Sequence, residues 1–433
     1  QRVDRLGSDA RETLAPAAVV GRDFEVVVLA DVLGVSPLDA LTHLDAAARA
    51  GLLVDGDHPG AFRFVHAIVR TTLEESLSPS HRALLHAAIA RRWEEEGDDL
   101  PRREAAMHHW LAADRLGDPL HAGDIAAEVA TQATERLAHE RAVSILLRAL
   151  DVLSGAPATT QRDGVEARLR VALGRAEFVA TRNAEAVDQL YRAADLAESG
   201  GDPATLAEAA LVASLSRRHG RDDPELLRLL ERASATCPPE PAVLPAMLHV
   251  RRSRLLPLTV RHEERSAMAR RALVDLDLMD PVDRATVETE VARACWCPDD
   301  ADDRIAVTTR LVDLADRELR IGGPSRWTGV LIEALNLRWA ARVQVGNVLG
   351  ALDDADRAAA VADEAGTSFL LSRVMMGQSM IHATLGNHEL AERLSREALE
   401  LSDRHNLVLV QMAITYSIGR DRGQQQQLAE LEQ

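Results

Sequence analysis

GLLVDGDHPGAFRFVHAIVRTTLEESLSPSHRALLHAAIARRWEE, residues 51–95, decides how the rest of the chain is organised. Leu52 to Val54 and Phe62 to Val65 are strand-like, and Asp55-Gly56-Asp57-His58-Pro59-Gly60 between them is a run of turn residues, which predicts a β-hairpin. A short helix is expected to open at His66, and a longer one after Pro79. Upstream, residues 9–20 (DARETLAPAAVV) read as a short helix broken by Gly21-Arg22. Phe24 to Leu33 carries apolar residues at helical spacing. Gly34-Val35-Ser36-Pro37 then supplies a stop, a cap and a proline suited to a helix start, ahead of a second helix over 38–50. Helix, turn, helix, hairpin is the order of a winged helix.

Downstream the pattern changes. From Arg102 the chain reads as helices of about 15 residues in pairs, long enough to be typical of globular helices. Alanine or alanine-leucine positions recur near the same point of each second helix: Ala149-Leu150, Ala193, Ala233, Ala272-Leu273, Ala358 and Ala398-Leu399. The spacings are 44, 40, 39, 86 (two units) and 40. Such a period marks a helical solenoid, in which no repeat buries its face alone. Leu173-Gly174 with Ala186, Leu190 and Ala193, and Gly386 with Ala391, Ala398 and Leu399, keep the small-residue spacing of tetratricopeptide repeats. The units run longer than that family's usual repeat, and the unit over 281–320 matches poorly. Arg420 to Gln433, with its glutamine run, reads as an incomplete last unit. The expected fold is predominantly all-α: a winged-helix module with a short hairpin over 1–98, then a right-handed α-solenoid of tetratricopeptide-like helix pairs over 99–433.

Bulk composition narrows the function. The chain has 433 residues, 46% apolar and only 3% aromatic, with formal charge −18. It is too long for one compact core. So acidic a chain is repelled by phosphate backbones unless it carries a segregated basic face. Three cysteines make no disulfide framework, which points to a reducing compartment. No signal peptide is visible at QRVDRLGSDA, and no apolar run approaches the ~20 residues of a membrane helix. A cytoplasmic location without membrane contact is expected. Starting at Gln1 rather than Met predicts a piece of something longer.

AAVVGRDFEVVVLADVLGV (17–35), GAFRFVHAIVRTTLEESLSPSHRALLHAAIARRWEE (60–95) and AAMHHWLAADRLGD (105–118) together resemble the region that follows the ATPase core in large bacterial ATP-binding regulators. These belong to the signal-transduction ATPases with numerous domains and include LuxR-type regulators. The resemblance implies a P-loop ATPase ahead of the winged helix, a repeat sensor behind it, and often a DNA-binding domain at the end. It also implies ATP or ADP in the longer protein, an inducer or protein partner on the repeats, and transcriptional output. A Walker A motif needs a lysine to reach the phosphates, and all 50 basic residues here are arginine, so that core is not in this chain. The alternatives are a protein-interaction scaffold without nucleotide linkage, or the regulatory half of a nucleotide cyclase.

In related ATPases a histidine in the same strand-to-helix context touches the β-phosphate of ADP. The resemblance therefore makes His66 a nucleotide-sensing candidate, with Arg70 one turn on; the bland reading is a packed or capping histidine. The helix over 38–50 carries Asp39 and Asp45 against one Arg49, where a groove-reading helix presents several basic or amide side chains. Direct nucleic-acid contact is not expected. Arg251, Arg252, Arg254, Arg261, Arg265, Arg270 and Arg271 lie close in sequence, opposed there only by Glu263 and Glu264. They read as a solvated face, or else as a ligand or partner site; Arg251, Arg252, Arg254, Arg270 and Arg271 are the candidates. Ser266 stands where a zinc-protease motif begun by His262-Glu263 needs its second histidine. Cys295-Trp296-Cys297 is too closely spaced for a C-x-x-C metal site, and His108-His109 are adjacent residues on different helix faces. No G-x-S-x-G elbow is present. Neither a catalytic site nor a metal or cofactor site is expected in this chain.

Overall fold

The computed structural model describes residues 8–97, 99–136, 138–180, 182–216, 223–256, 262–295, 297–323, 326–366 and 368–404. Arg261, Trp296 and the glutamine-rich segment after Arg420 lie outside the described residues. Twenty α-helices and three short strands occur among the described residues, so the chain is predominantly α-helical. It divides into two compact units, 1–218 and 219–433.

The first unit begins with α1 (Ser8–Val20), β1 (Asp23–Glu25), α2 (Val26–Leu33), α3 (Pro37–Arg49), β2 (Leu53–Asp55), β3 (Ala61–Phe64), α4 (Ala67–Glu75) and α5 (Pro79–Glu96). The strands form one antiparallel sheet in the order β1-β3-β2. This is the expected helix, helix, hairpin order with one addition. Phe24 was assigned to a helix by its spacing, whereas it lies in β1, opposite Phe62. Three residues are too few for a periodic signal, and β1 exists only because β3, some forty residues on, pairs with it. Its exposed-buried-exposed pattern puts Phe24 inward, where its ring lies 6.0 Å from Phe62 and 5.6 Å from Phe64. In so aromatic-poor a chain, each ring contributes ~1.5–3 kcal/mol by burial and together they hold the sheet on α1, α2 and α3.

Helix starts follow local chemistry. Ser36 and Ser78 cap α3 and α5 through their hydroxyls, each followed by a proline at the first helical position. Asp118, Asp202, Asp223 and Asp280 do the same ahead of Pro119, Pro203, Pro224 and Pro281.

After α6 (Leu100–Ala113) the first unit continues with α7 (Pro119–Glu135), α8 (His139–Ser154), α9 (Thr160–Val179), α10 (Asn183–Gly200) and α11 (Pro203–Ala213). These pack as successive pairs, with α7 also beside α9 and α9 beside α11. Gly174 of α9 meets Ala186 and Leu190 of α10 so closely that a Cβ there would stand 2.6 Å from Leu190 Cγ. The small-residue spacing expected of paired helices is thus real contact.

The second unit holds α12 (Pro224–Thr236), then the pairs α13 (Val243–Leu255) and α14 (His262–Arg271), α15 (Pro281–Ala294) and α16 (Ala301–Arg320), α17 (Arg326–Gln344) and α18 (Val348–Glu364), and α19 (Ser368–Thr384) and α20 (His388–Arg404). First helices of neighbouring pairs lie side by side: α13 on α15, α15 on α17, α17 on α19. Ala149, Ala193, Ala233, Ala272, Ala358 and Ala398 are all buried, as a repeat requires. The poorly matching unit over 281–320 is a helix pair like the others, with Ala315 at the buried small-residue position. Glu288, Glu290, Arg304 and Thr308 are buried in it, and these polar residues interrupt its apolar pattern along the sequence.

Candidate functional sites

In the first unit the helix α5 belongs to two cores. Its Leu85 and Ile89 lie in the core under the sheet, while Ala87 and Ala90 lie in the core that α6 to α9 build. Trp93 packs against both. At this junction His86 of α5 and His109 of α6 are both buried, their Nδ1 atoms 2.8 Å apart. Burial, then the neighbouring His108 and Arg82, pulls His86 down to about 4. Burial, then His86 and His108, pulls His109 down to about 3. The pair is held neutral, one ring donating and the other accepting. His108, by contrast, is exposed, so the adjacent histidines do face different ways.

His66 is the N-cap residue of α4, with extended backbone at φ −126°, ψ 125°. Its side chain neither caps the helix nor packs; it is exposed, beside exposed Val65 and Ile68. Both bland alternatives, packing and capping, are therefore set aside. Arg70 turns inward: its Nη1 donates to the carbonyl of Ala18 in α1 and to Glu74, each at 3.1 Å. It ties α4 to α1 while His66 is left open to solvent. On α3, Asp39, Asp45 and Arg49 are all exposed, so that surface carries net negative charge.

In the second unit the arginine-rich stretch does not form one basic face. Arg265 is buried, and its guanidinium donates to the carbonyls of Ala294, Arg254 and Leu256. It neutralises the carbonyl ends of α13 and α15. Arg270 pairs with Asp303 at 2.6 Å, and Arg252 stands 3.8 Å from Glu231. Arg271 is exposed. Arg251 and Arg254 reach α15, where buried Glu290 accepts from Arg254 at 2.5 Å and pairs with Arg251 at 3.2 Å. Beyond the adjacent Glu263 and Glu264, further counter-charges come from Glu231, Glu290 and Asp303 on other helices.

Glu290 is the start of a charge ladder across the first helices. Arg293 pairs with Glu290 at 2.7 Å and with Glu333 of α17 at 2.9 Å; Glu333 also faces Arg373 of α19 at 3.6 Å. The 40-residue steps from Arg293 to Glu333 to Arg373 are the repeat period written in charge. Burial disfavours the charge on Glu290, but Arg251, Arg254 and Arg293 outweigh it and hold its pKa below the ordinary carboxylate value. For Arg251 the balance goes the other way. Burial lowers its pKa despite Glu290, with Arg254 and Arg293 adding repulsion.

Beside the ladder, α13, α15 and the start of α17 line an open cavity of about 240 Å³. Arg251, Arg293 and Arg326 bring three positive charges to it and Glu290 one negative. Val282, Ala285, Trp327 and Val330 supply apolar wall. Of the five sequence candidates, only Arg251 reaches this cavity. Arg293 and Arg326 lie outside the arginine-rich stretch and were missed; the 40-residue period was the signal that could have linked Arg293 to the ladder.

Burial, with Asp300 adding to it, pushes Cys295 up to about 12; burial also raises Cys237 and Cys297. Among the described residues no cluster of histidine, cysteine and carboxylate side chains has metal-holding geometry. No single described helix is long and apolar enough to cross a membrane.

No family model matches this chain, and no curated protein matches it. Solved structures do. A signal-transduction ATPase with numerous domains carrying a tetratricopeptide repeat sensor, from Pyrococcus horikoshii, aligns over 95% of this chain at 11% identity and TM-score 0.43; this chain spans 66% of its length. A Rap protein complexed with competence and sporulation factor aligns over 81% of this chain and 94% of its own, at 13% identity and TM-score 0.43. Ton1535 from Thermococcus onnurineus NA1 aligns over 88% of this chain and 98% of its own, at 12% identity and TM-score 0.26. At these values the likenesses carry no argument about function; the fold stands on the helix pairs themselves, which make the chain a tetratricopeptide-like helical-repeat protein.

Proposed function

We propose that this chain is the regulatory and sensing part of a longer ATP-dependent signal-transduction protein with transcriptional output. In this reading residues 1–98 form a winged-helix module that relays the nucleotide state of an ATPase domain, and 99–433 form the sensor that takes an inducer or a protein partner. The observation that carries it is the double membership of α5. A helix that contributes Leu85 and Ile89 to one core and Ala87 and Ala90 to the next cannot shift in one without disturbing the other. Packed layers of this kind pass a displacement on as a step between arrangements rather than absorb it. In the same head, the exposed His66 opens α4, where first-turn N–H groups favour an anion. The ADP phosphate that would meet it belongs to the ATPase domain.

An inducer acts here by population shift, so it must favour one state through its differential affinity. The test is His66→Ala in the longer protein, with the half-time of bound ADP as the readout. Faster ADP loss with an unchanged thermal melt is the expected result. Unchanged ADP retention removes the relay and leaves the interaction-scaffold reading.

A further inference from the structure

We propose that the cavity between α13, α15 and α17 is a binding site for a small organic carboxylate with an apolar body, its acid group taken by Arg326 and Arg251 and its body laid on Val282 and Val330. The first support is charge. The cavity wall holds three arginines against one glutamate, 3 − 1 = +2, in a chain of net −18. Adding Arg254 and Glu333, which bond to those residues, leaves the balance at 4 − 2 = +2.

The second support is that this excess is not consumed inside the protein. Arg293 is engaged on both sides, by Glu290 and Glu333. Arg251 shares Glu290 with two other guanidiniums, and its own Nε is buried without a hydrogen-bond partner. Arg326 is exposed and has no ion-pair partner among the described residues. Arg326 thus offers an arriving anion an exposed guanidinium. The fork of a guanidinium matches a carboxylate bidentately.

The third support is the wall itself. Val282 and Val330 are partly exposed in the lining, which Ala285 and the buried Trp327 complete. A bare phosphate would leave that wall wet, whereas an alkyl or aryl acid covers it. The volume of about 240 Å³ accommodates a compact ligand. The site names the chemical class of the inducer and rests on the sensor reading for its biological sense.

The test is calorimetric titration of the intact chain with 4-phenylbutyrate, octanoate, 4-phenylbutanol and inorganic phosphate. One-site binding by at least one of the acids is expected below about 1 mM, with the alcohol and phosphate at least about tenfold weaker. Arg326→Ala should weaken the acid about tenfold with the melting temperature unchanged, and Arg271→Ala should change nothing. Neither acid saturating by about 10 mM, an alcohol or phosphate binding equally well, or an unaffected Arg326→Ala variant each overturns the proposal. The two readings fail separately. Acid binding that leaves ADP retention in the longer protein untouched removes the sensor role and keeps the site. A His66 effect without acid binding removes the site and keeps the relay.

Discussion

Replacing Glu290 by Gln tests the energetics of the charge ladder directly. Glu290 is 5% exposed and faces three guanidiniums: Arg254 at 2.5 Å, Arg293 at 2.7 Å and Arg251 at 3.2 Å. Arg293 keeps Glu333, but Arg251 and Arg254, with side chains 15% and 18% exposed, lose the carboxylate that offsets their desolvation. Breaking a buried pair by removing one member costs about 3–5 kcal/mol. In a unit of this size each kcal/mol lowers Tm by about 2–4 °C, so the variant should melt about 6–20 °C lower. Glu231→Gln is the control: its pair with Arg252 is 3.8 Å long and its side chain 51% exposed, so it should cost at most about 1 kcal/mol. The pH dependence adds a signature. The folded pKa of Glu290 lies below its ordinary 4.5, so its contribution is present above that value and lost as pH falls through the folded pKa. The gap between wild type and variant should be constant at neutral pH and close in acid. Differential scanning calorimetry across pH reads both quantities. A Tm change under about 2 °C, or a gap that widens in acid, refutes the view that Glu290 anchors these arginines.

The buried pair His86 and His109 should make the first unit acid-sensitive. Both folded pKa values, about 4 and about 3, lie below the ordinary 6.5, so stability is full above pH 6.5 and falls as pH drops toward the folded values. Linkage gives a loss of about 2 kcal/mol for the first histidine by about pH 5, measurable by urea melts; equal stability at neutral pH and pH 5 contradicts it. Two glycines of α9 should respond oppositely to alanine. Gly164 has only the tip of Arg168 nearby, at 3.7 Å, so Gly164→Ala should gain up to about 1 kcal/mol of helix propensity. At Gly174 the same gain is outweighed by overpacking of about 1–3 kcal/mol, because Leu190 Cγ and the Ala186 carbonyl stand 2.6 and 3.1 Å away. Matching changes in denaturation midpoint for the two variants would show that the α9–α10 seam is loose.

Much of the architecture was legible because it rests on local chemistry. Ser36-Pro37 announces a helix start within two residues, and the structure opens α3 there. The recurring alanines mark where second helices press on their neighbours, since only a small side chain allows that approach. The candidate sites were less legible. His66 could be placed at a strand-to-helix junction from RFVHAIVR, and it does stand there, yet nothing local told that Arg70 would turn inward to Ala18. The arginine-rich stretch looked nearly unopposed because a scan along the chain sees only adjacent acids. Its counter-charges lie about 20 to 40 residues away, one or two helices distant.

The sequence by itself determined the helical class, the period near 40 residues, the helix-helix-hairpin order of the head and the lack of a phosphate-binding lysine. These depend on residue type and on spacings within a turn or a repeat. Only the tertiary structure decided that Phe24 belongs to a strand, that α5 serves two cores, and that Arg251, Arg293 and Arg326 meet around one cavity. Each of these depends on segments distant in the chain being brought side by side. A guanidinium reads the same in sequence whether it faces water, a helix end or a buried glutamate; what surrounds it sets its energy, and the fold supplies the surroundings.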